Sequence, residues 1–129
     1  MRAATSVFRV QQILLARFDE ALRPHALTFA RYEVLVLLTF SRTGELPLKV
    51  IGSRLMVHPT SVTNAITRLA AAGLVERLAN PRDRRGALAS ITPLGRAVAE
   101  AGTRELMSID FGLGALDERT RESTFAALR

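Results

Sequence analysis

The chain has 129 residues, of which 48% are hydrophobic, and its net charge is +6. This length and composition indicate one folded domain with a real core, and no apolar run approaches the roughly 18 residues that a membrane span needs. Because cysteine is absent, disulfides, thiolate metal sites and thiol-based redox sensing are excluded. The two histidines, His25 and His58, do not make a metal cluster by themselves, so we expect no metal and no cofactor. We find no signal peptide and expect a cytoplasmic protein.

The basic residues are concentrated in the middle of the chain. Residues 47–86 contain seven basic and two acidic side chains, a net charge of +5, and the rest of the chain adds only +1. A basic patch of this kind is the electrostatic footprint of a surface that binds phosphate groups. The sequence therefore favours a nucleic-acid partner.

The first half of the chain predicts two helices. Apolar periodicity predicts a first helix over residues 6–23, with Ser6 as its N-cap and Pro24 as its end. Thr28 is the expected N-cap of a second helix that continues to about Ser41. This second helix is apolar almost all round, so we expect it to be the central buried helix of the domain.

A short connector at residues 45–47, which could be one small strand, leads into two short helices joined by a tight turn. The second of these helices is predicted to begin at Pro59 and to end near Gly73. An apolar stripe marks its inner face: Val62, Ala65, Ile66 and Leu69. Its outer face is polar, small and nearly uncharged: Thr60, Ser61, Thr63, Asn64, Thr67 and Arg68. Short hydroxyl and amide side chains suit base edges in a major groove, but such a face is also common on ordinary protein surfaces.

After the second helix of this pair, the pattern changes from helical to extended. Residues 74–78 and 87–91 predict two strands, and residues 80–86, NPRDRRG, predict the turn between them. A hairpin that carries three arginines beside a DNA-recognition helix is typical of the wing of a winged-helix protein. The arginines of such a wing enter the minor groove or contact phosphates. We expect Asp83 to pair with a neighbouring arginine and to fix its direction. The alternative is a charged hairpin that is merely solvated.

A long helix is predicted after the hairpin, because Thr92 and Pro93 form an N-cap followed by a proline at the first helical position. Its apolar stripe should start with Leu94, Val98 and Ala101. A coiled-coil-like seam at three–four spacing should then follow: Leu106, Ile109, Leu113 and Leu116.

The end of the chain predicts one more short helix. Gly112 and Gly114 are expected to end or bend the long helix, and Asp117 is expected to cap the last one. Phe125 and Leu128 are the apolar contacts of this last helix. Because it buries little by itself, it gains most if it packs against a second subunit, and the broad apolar surface of the first helix favours the same arrangement.

The order of the parts is recognisable in four motifs: LTFARYEVLVLL, ITRLAAAGLVER, NPRDRRG and ITPLGR. The run from Thr63 to Arg96 is the most specific portion, because it joins the reading helix, an Asp-Arg-Arg wing and the next helix start. With these motifs the chain resembles the MarR family of bacterial winged-helix transcription regulators over nearly its whole length.

The resemblance implies a mainly α fold with a small β-hairpin wing (α+β). It implies one chain of residues 1–129, with a winged helix-turn-helix DNA-binding region at 28–92 and dimerisation helices at 1–27 and 93–129. It also implies a homodimer that binds double-stranded DNA at an inverted-repeat operator, most often as a repressor. The recognition helix would lie in the major groove and the wing at the adjacent minor groove.

The resemblance assigns roles by position. Base contacts go to Thr60, Ser61, Thr63 and Asn64. Phosphate or minor-groove contacts go to Arg68, Arg82, Arg84 and Arg85, with Asp83 orienting a wing arginine. Many relatives also bind small, often aromatic or phenolic anions in a crevice between the dimer helices and the winged helix, and then release DNA. The polar contributors to such a crevice here would be Arg9, His25 and Tyr32.

Two other classes of protein stay open at this point. One is a winged-helix module that binds proteins, and the other is an architectural DNA binder without ligand control or sequence preference. We do not expect an enzyme, because the chain has no cysteine, no Gly-rich phosphate loop and no HExxH motif, and its histidines are few and scattered.

Overall fold

The computed structural model describes residues 1–129 as six α-helices, two short 3₁₀ turns and one three-stranded antiparallel sheet. The helices are α1 Arg2–Leu22, α2 Phe29–Thr39, α3 Leu48–Leu55, α4 Pro59–Ala71, α5 Pro93–Ser108 and α6 Glu118–Leu128. The strands are β1 Glu45–Pro47, β2 Val75–Ala79 and β3 Ala87–Ile91, and the 3₁₀ turns are Arg23–His25 and Asp110–Gly112. The predicted fold class, mainly α with a small β-hairpin wing, is confirmed. No helix is both long enough and apolar enough to cross a membrane.

The sheet joins the predicted connector strand to the hairpin. Its strand order is β1-β3-β2, and both pairings are antiparallel. Ala89 at the centre of β3 pairs with Leu46 on one side and with Arg77 on the other, and it is fully buried. The connector strand and β3 were predicted at these positions, and β2 starts one residue later than predicted.

Helix α2 lies at the centre of the core, as its sequence predicts. It contacts α1, α3, α4, α5 and β3, and its side chains Val34, Leu35 and Leu38 are buried. Burying an aliphatic side chain of this size is worth about 1.5–3 kcal/mol. Helix α2 therefore joins α4 to α1 and α5.

Local capping signals were read correctly at three helix starts. The side chain of Thr28 accepts a hydrogen bond from the backbone N–H of Arg31 at 3.4 Å, and that of Asp117 accepts one from Thr120 at 2.8 Å. Thr92 caps α5 in the same way. At the end of α4 the predicted glycine, Gly73, has a φ of +73°, the left-handed conformation that glycine adopts without steric cost.

The predicted start of the first helix was wrong. Helix α1 begins at Arg2, so Ser6 lies inside the helix and does not cap it. The residues before Ser6 are compatible with a helix, and the hydroxyl of Thr5 donates to the backbone oxygen of Met1 at 3.1 Å. Because nothing in residues 2–5 opposes helix formation, the helix continues back to the start of the chain.

The predicted apolar stripe of α5 was wrong at Leu94, whereas Val98 is half-buried against the core. The buried face of α5 contains small residues, Gly95, Ala99 and Gly102, followed by Leu106, while Leu94 is 55% exposed. A β-carbon at position 102 would lie 3.0 Å from Leu22 Cδ2. Neighbouring elements approach this face of α5 so closely that only small side chains fit. The positions of the large apolar residues therefore did not predict which face is buried.

The predicted seam beyond Leu106 does not exist, because α5 ends at Ser108. Asp110 and Phe111 both have positive φ angles, 53° and 49°, and they turn the chain out of the helix. Leu113 and Leu116 therefore lie after the helix, and Gly112 and Gly114 do not end it. Neither aspartate nor phenylalanine signals a left-handed pair in a sequence.

Candidate nucleic-acid interface

Helix α4 is fixed by packing on its inner face. Val62, Ile66 and Leu69 are buried and α4 contacts α2, α3 and β2, while Ala65 is half-buried. The helix contains several β-branched residues, which lose rotamer freedom in a helix. Its position therefore depends on these tertiary contacts and not on intrinsic helix propensity.

The start of α4 carries a cap that the sequence did not reveal. The residue before Pro59 is His58, and its ring atom Nδ1 accepts a hydrogen bond from the backbone N–H of Thr60 at 3.1 Å. Histidine is not among the usual N-cap residues, so the pattern gave no signal for this role. The cap satisfies one of the free N–H groups at the start of α4.

The outer face of α4 is available for hydrogen bonding. The side chains of Thr60, Ser61 and Asn64 are exposed and make no hydrogen bond within the chain. Thr67 differs, because its hydroxyl donates to the backbone oxygen of Thr63 at 2.8 Å. The first turns of α4 therefore present free donors and acceptors, whereas Thr67 satisfies its hydroxyl on its own helix.

The wing tip consists of two consecutive turns between β2 and β3. The backbone N–H of Asp83 donates to Asn80 O at 3.3 Å, and that of Gly86 donates to Asp83 O at 3.1 Å. The first side chain of each turn also accepts a hydrogen bond from a backbone N–H. The Asn80 side chain accepts the N–H of Arg82, and the Asp83 side chain accepts the N–H of Arg85, both at 3.0 Å. Such side-chain bonds two residues along the chain are typical of Asn and Asp in turns.

This geometry corrects the prediction for Asp83. Its carboxylate pairs with no arginine side chain; it accepts the backbone N–H of Arg85 instead. An exposed ion pair contributes only about 0–1 kcal/mol, so a local backbone bond competes well with it. Asp83 shapes the backbone of the wing, and the guanidinium groups of Arg82, Arg84 and Arg85 stay exposed and unpaired.

A groove of about 850 Å³ lies between the wing and the helix-turn-helix. It brings Thr63 of α4 together with Asp83 and Arg85 of the wing. The other predicted DNA-binding residues lie on the exposed surface outside this groove: Thr60, Ser61, Asn64, Arg68, Arg82 and Arg84. The groove also contains Lys49 and Arg77, which were counted in the basic segment but not predicted as site residues.

The three predicted ligand contacts lie on different elements: α1, the turn before α2, and α2. Arg9 is exposed on α1. His25 Nε2 lies 3.1 Å from Glu105 Oε1, and the hydroxyl of Tyr32 is 2.8 Å from that of Thr103. His25 and Tyr32 thus tie the start of α2 and the preceding turn to α5, and their role as ligand contacts stays a prediction.

A helix-turn-helix followed by a hairpin that carries exposed arginines defines a winged helix-turn-helix protein. Comparison with known proteins agrees. The family model described as MarR family matches residues 29–86. The crystal structure of Sco5413, a MarR family transcriptional regulator from Streptomyces coelicolor, is 58% identical, covers 100% of this chain and 89% of that chain, and has a TM-score of 0.94. This chain therefore belongs to the MarR family, a family of transcriptional regulators and not of enzymes.

Two more distant structures share the fold. A mutant MarR from E. coli complexed with operator DNA is 24% identical, with coverage of 99% of this chain and 91% of that one and a TM-score of 0.86. CouR from Rhodococcus jostii RHA1, bound to p-coumaroyl-CoA, is 19% identical, with coverage of 98% and 88% and a TM-score of 0.83. No curated protein sequence matched the chain.

Proposed function

We propose that this transcriptional regulator binds double-stranded DNA as a homodimer, with α4 in the major groove and the wing at the adjacent minor groove. The observation that carries the proposal is the groove shared by the two elements, in which Thr63 of α4 faces the same space as Arg85 of the wing. Both elements present exposed side chains without protein partners, and the segment from residue 47 to residue 86 has a net charge of +5. The E. coli relative, which is complexed with operator DNA, supports a DNA partner.

The side chains of this interface divide by chemistry. Small polar side chains on α4 would read base edges: Thr60, Ser61, Thr63 and Asn64. Guanidinium groups would contact phosphates or enter the minor groove: Arg68, Arg82, Arg84 and Arg85. Each phosphate that is neutralised steepens the salt dependence of binding by about 0.9 unit, whereas a base contact contributes about 1–3 kcal/mol of discrimination between sequences.

Exposed apolar side chains at both ends of the chain support the homodimer. Phe8 on α1 is 66% exposed, and Phe125 on α6 is 67% exposed. Ile13 and Leu128 add to the same two helices, and apolar surface of this extent marks an interaction site. We propose that residues 1–27 and 93–129 form the dimer, while residues 28–92 bind DNA.

A two-fold dimer has consequences for the DNA and for regulation. Its two recognition helices would meet successive major grooves, about 10–10.5 bp apart, so the operator should be an inverted repeat. If the operator overlaps a promoter, the bound protein would act as a repressor. It would act in the bacterial cytoplasm. A small molecule would release DNA only if it binds the DNA-incompetent dimer more tightly, as equal affinity for both states shifts nothing. CouR, which is bound to p-coumaroyl-CoA, supports a small-molecule ligand.

The test is binding of the purified protein to DNA from upstream of its own gene, titrated with random-sequence competitor. We expect a preference for one upstream site, a steep loss of affinity with salt, and protection of two half-sites. Salt-independent binding to a protein partner, with no DNA binding, would contradict the proposal and indicate an interaction module. Binding to DNA without sequence preference would contradict it in favour of an architectural protein.

A further inference from the structure

The first turn of α4 is held by one residue, His58. The backbone oxygen of His58 accepts the N–H group of Ser61 at 2.9 Å and that of Val62 at 3.2 Å. Its ring atom Nδ1 accepts the N–H of Thr60 at 3.1 Å, and Pro59 has no N–H to satisfy. Every N–H group of the first turn therefore donates to His58, and that of Thr60 depends on the imidazole alone.

This hydrogen bond fixes the chemical state of the His58 ring. A ring nitrogen that accepts a hydrogen bond carries no proton, so the imidazole is neutral and its proton is on Nε2. A protonated imidazole donates from both nitrogens, and it would leave the N–H of Thr60 without a partner. Its positive charge would also oppose the partial positive charge at the start of a helix. The cap therefore exists only in the neutral form of the ring.

No other helix of the chain has a cap of this kind. The side-chain caps of α2 and α5 are the hydroxyls of Thr28 and Thr92, whereas α1 and α3 have no side-chain cap. The cap of α6 is Asp117, and hydrogen bonds from Thr120 lower its pKa, so it stays ionised near neutral pH. Histidine side chains change charge between about pH 5 and pH 8. Helix α4 is therefore the one helix whose cap a proton can remove in that range.

The surroundings of His58 contain no ionic partner for its ring. The side chain is exposed, and α4 packs against α2, α3 and β2. None of the charged side chains on these elements makes a hydrogen bond or an ion pair with the imidazole. Those side chains are Arg31 and Glu33 of α2, Lys49 and Arg54 of α3, and Glu76 and Arg77 of β2, while α4 itself carries only Arg68. The N–H of Thr60 is thus the one group of the protein to which the protonation of the ring is directly linked.

We propose that His58 is a positioning residue for DNA recognition and that α4 reads its operator only with His58 neutral. The inference rests on the proposed function, in which Thr60 and Ser61 read bases. Both side chains are exposed, and both belong to the turn that His58 caps. An ordered first turn presents them to base edges directly, whereas a frayed turn must lose conformational entropy on binding. The arginines of the wing do not depend on this turn.

Protonation of His58 has two effects on DNA binding, and they differ in their dependence on base sequence. The added positive charge attracts the phosphates of every duplex alike. Loss of the cap weakens only the contacts that read bases. The specificity ratio, defined as the affinity for the upstream site divided by the affinity for random DNA, therefore isolates the effect of the cap, because the effect of the charge cancels in it.

The experiment measures the specificity ratio by fluorescence anisotropy at fixed salt, at about pH 8 and at about pH 5.5, with circular dichroism at both to confirm the fold. In the wild type we expect the ratio to fall at least about fivefold at the lower pH, as for a lost N-cap. In His58→Asn the amide oxygen can accept the N–H of Thr60 at both pH values, so the ratio should stay high. In His58→Ala it should be low at both. The matched control is His25→Asn, which removes the other histidine of the chain and should keep the wild-type pH dependence.

A measurement without DNA tests the cap itself. In NMR spectra the amide resonance of Thr60 should shift as the His58 ring titrates, and in His58→Asn it should stay constant over the same range. A Thr60 resonance that is independent of the ring would overturn the inference. A wild-type ratio that does not change with pH, or that falls equally in His58→Asn, would also overturn it.

The outcomes separate this inference from the proposed function. A preference for the upstream site that is the same at both pH values would leave the proposed function intact while the inference fails. No preference for the upstream site in any of these proteins at either pH would refute the proposed function. That result would also remove the role of His58 in DNA recognition, even where the Thr60 resonance follows the ring.

Discussion

The hydroxyl of Thr92 joins the end of α4 to the start of α5. Its Oγ1 donates to the backbone oxygen of Gly73 at 2.7 Å, just beyond α4, and accepts the backbone N–H of Gly95 at 3.0 Å. The change Thr92→Val removes both hydrogen bonds and keeps the shape of the side chain. Loss of the N-cap costs about 1 kcal/mol and loss of the second bond about 0.5–1.5 kcal/mol. We therefore expect the free energy of unfolding to fall by about 1.5–2.5 kcal/mol.

The assay is urea unfolding followed by circular dichroism at one fixed protein concentration, because a dimer's stability depends on concentration. The midpoint should fall while the slope stays constant. Thr92→Ser keeps the hydroxyl and should recover most of the loss. Thr67→Ala, which removes an exposed hydroxyl from α4, should stay within about 0.5 kcal/mol of the wild type. Equal stability of Thr92→Val and the wild type, or equal loss in Thr92→Val and Thr92→Ser, would refute the reasoning.

Three further predictions concern other parts of the molecule. In Gly95→Ala the new β-carbon would lie 2.0 Å from a backbone oxygen, so urea unfolding should show a loss of about 1–3 kcal/mol or more, whereas Gly114→Ala, whose nearest neighbour is at 3.7 Å, should be tolerated. Because burial raises the pKa of Glu33 above its ordinary 4.5, its ionisation destabilises the fold as the pH rises through that range. Glu33→Gln should thus unfold at a higher temperature than wild type at pH 7, and the difference should vanish below pH 4.5. Phe125→Ser should raise the dimer dissociation constant at least about tenfold by sedimentation, while Phe40→Ser, 85% exposed at the end of α2, should leave it unchanged.

The sequence predicted the parts of the fold that depend on neighbouring residues. The caps Thr28, Thr92 and Asp117 each bind a backbone N–H three residues away, so the signal lies within one turn. The buried face of α5 could not be predicted in this way. Gly95 and Gly102 face the core because other elements approach them closely, and close approach is a property of the tertiary structure.

The candidate DNA interface was only partly predictable. The polar face of α4 and the arginines of the wing follow from periodicity and composition. The hydrogen-bond partner of Asp83 could not be predicted, because the backbone N–H of a residue two positions away competes with several exposed guanidinium groups for one carboxylate. Lys49 and Arg77 join the interface only through the groove between α3 and the wing.

The most direct test of the account is the salt dependence of DNA binding by the wild type, Asn64→Ala and Arg84→Ala, each on the upstream site and on random DNA. For Arg84→Ala we predict weaker binding to both DNAs and a salt slope smaller by about one unit. For Asn64→Ala we predict an unchanged slope and a loss of about 1–3 kcal/mol on the upstream site alone. Wild-type affinities and slopes in both variants would contradict the assignment of α4 and the wing as the DNA interface.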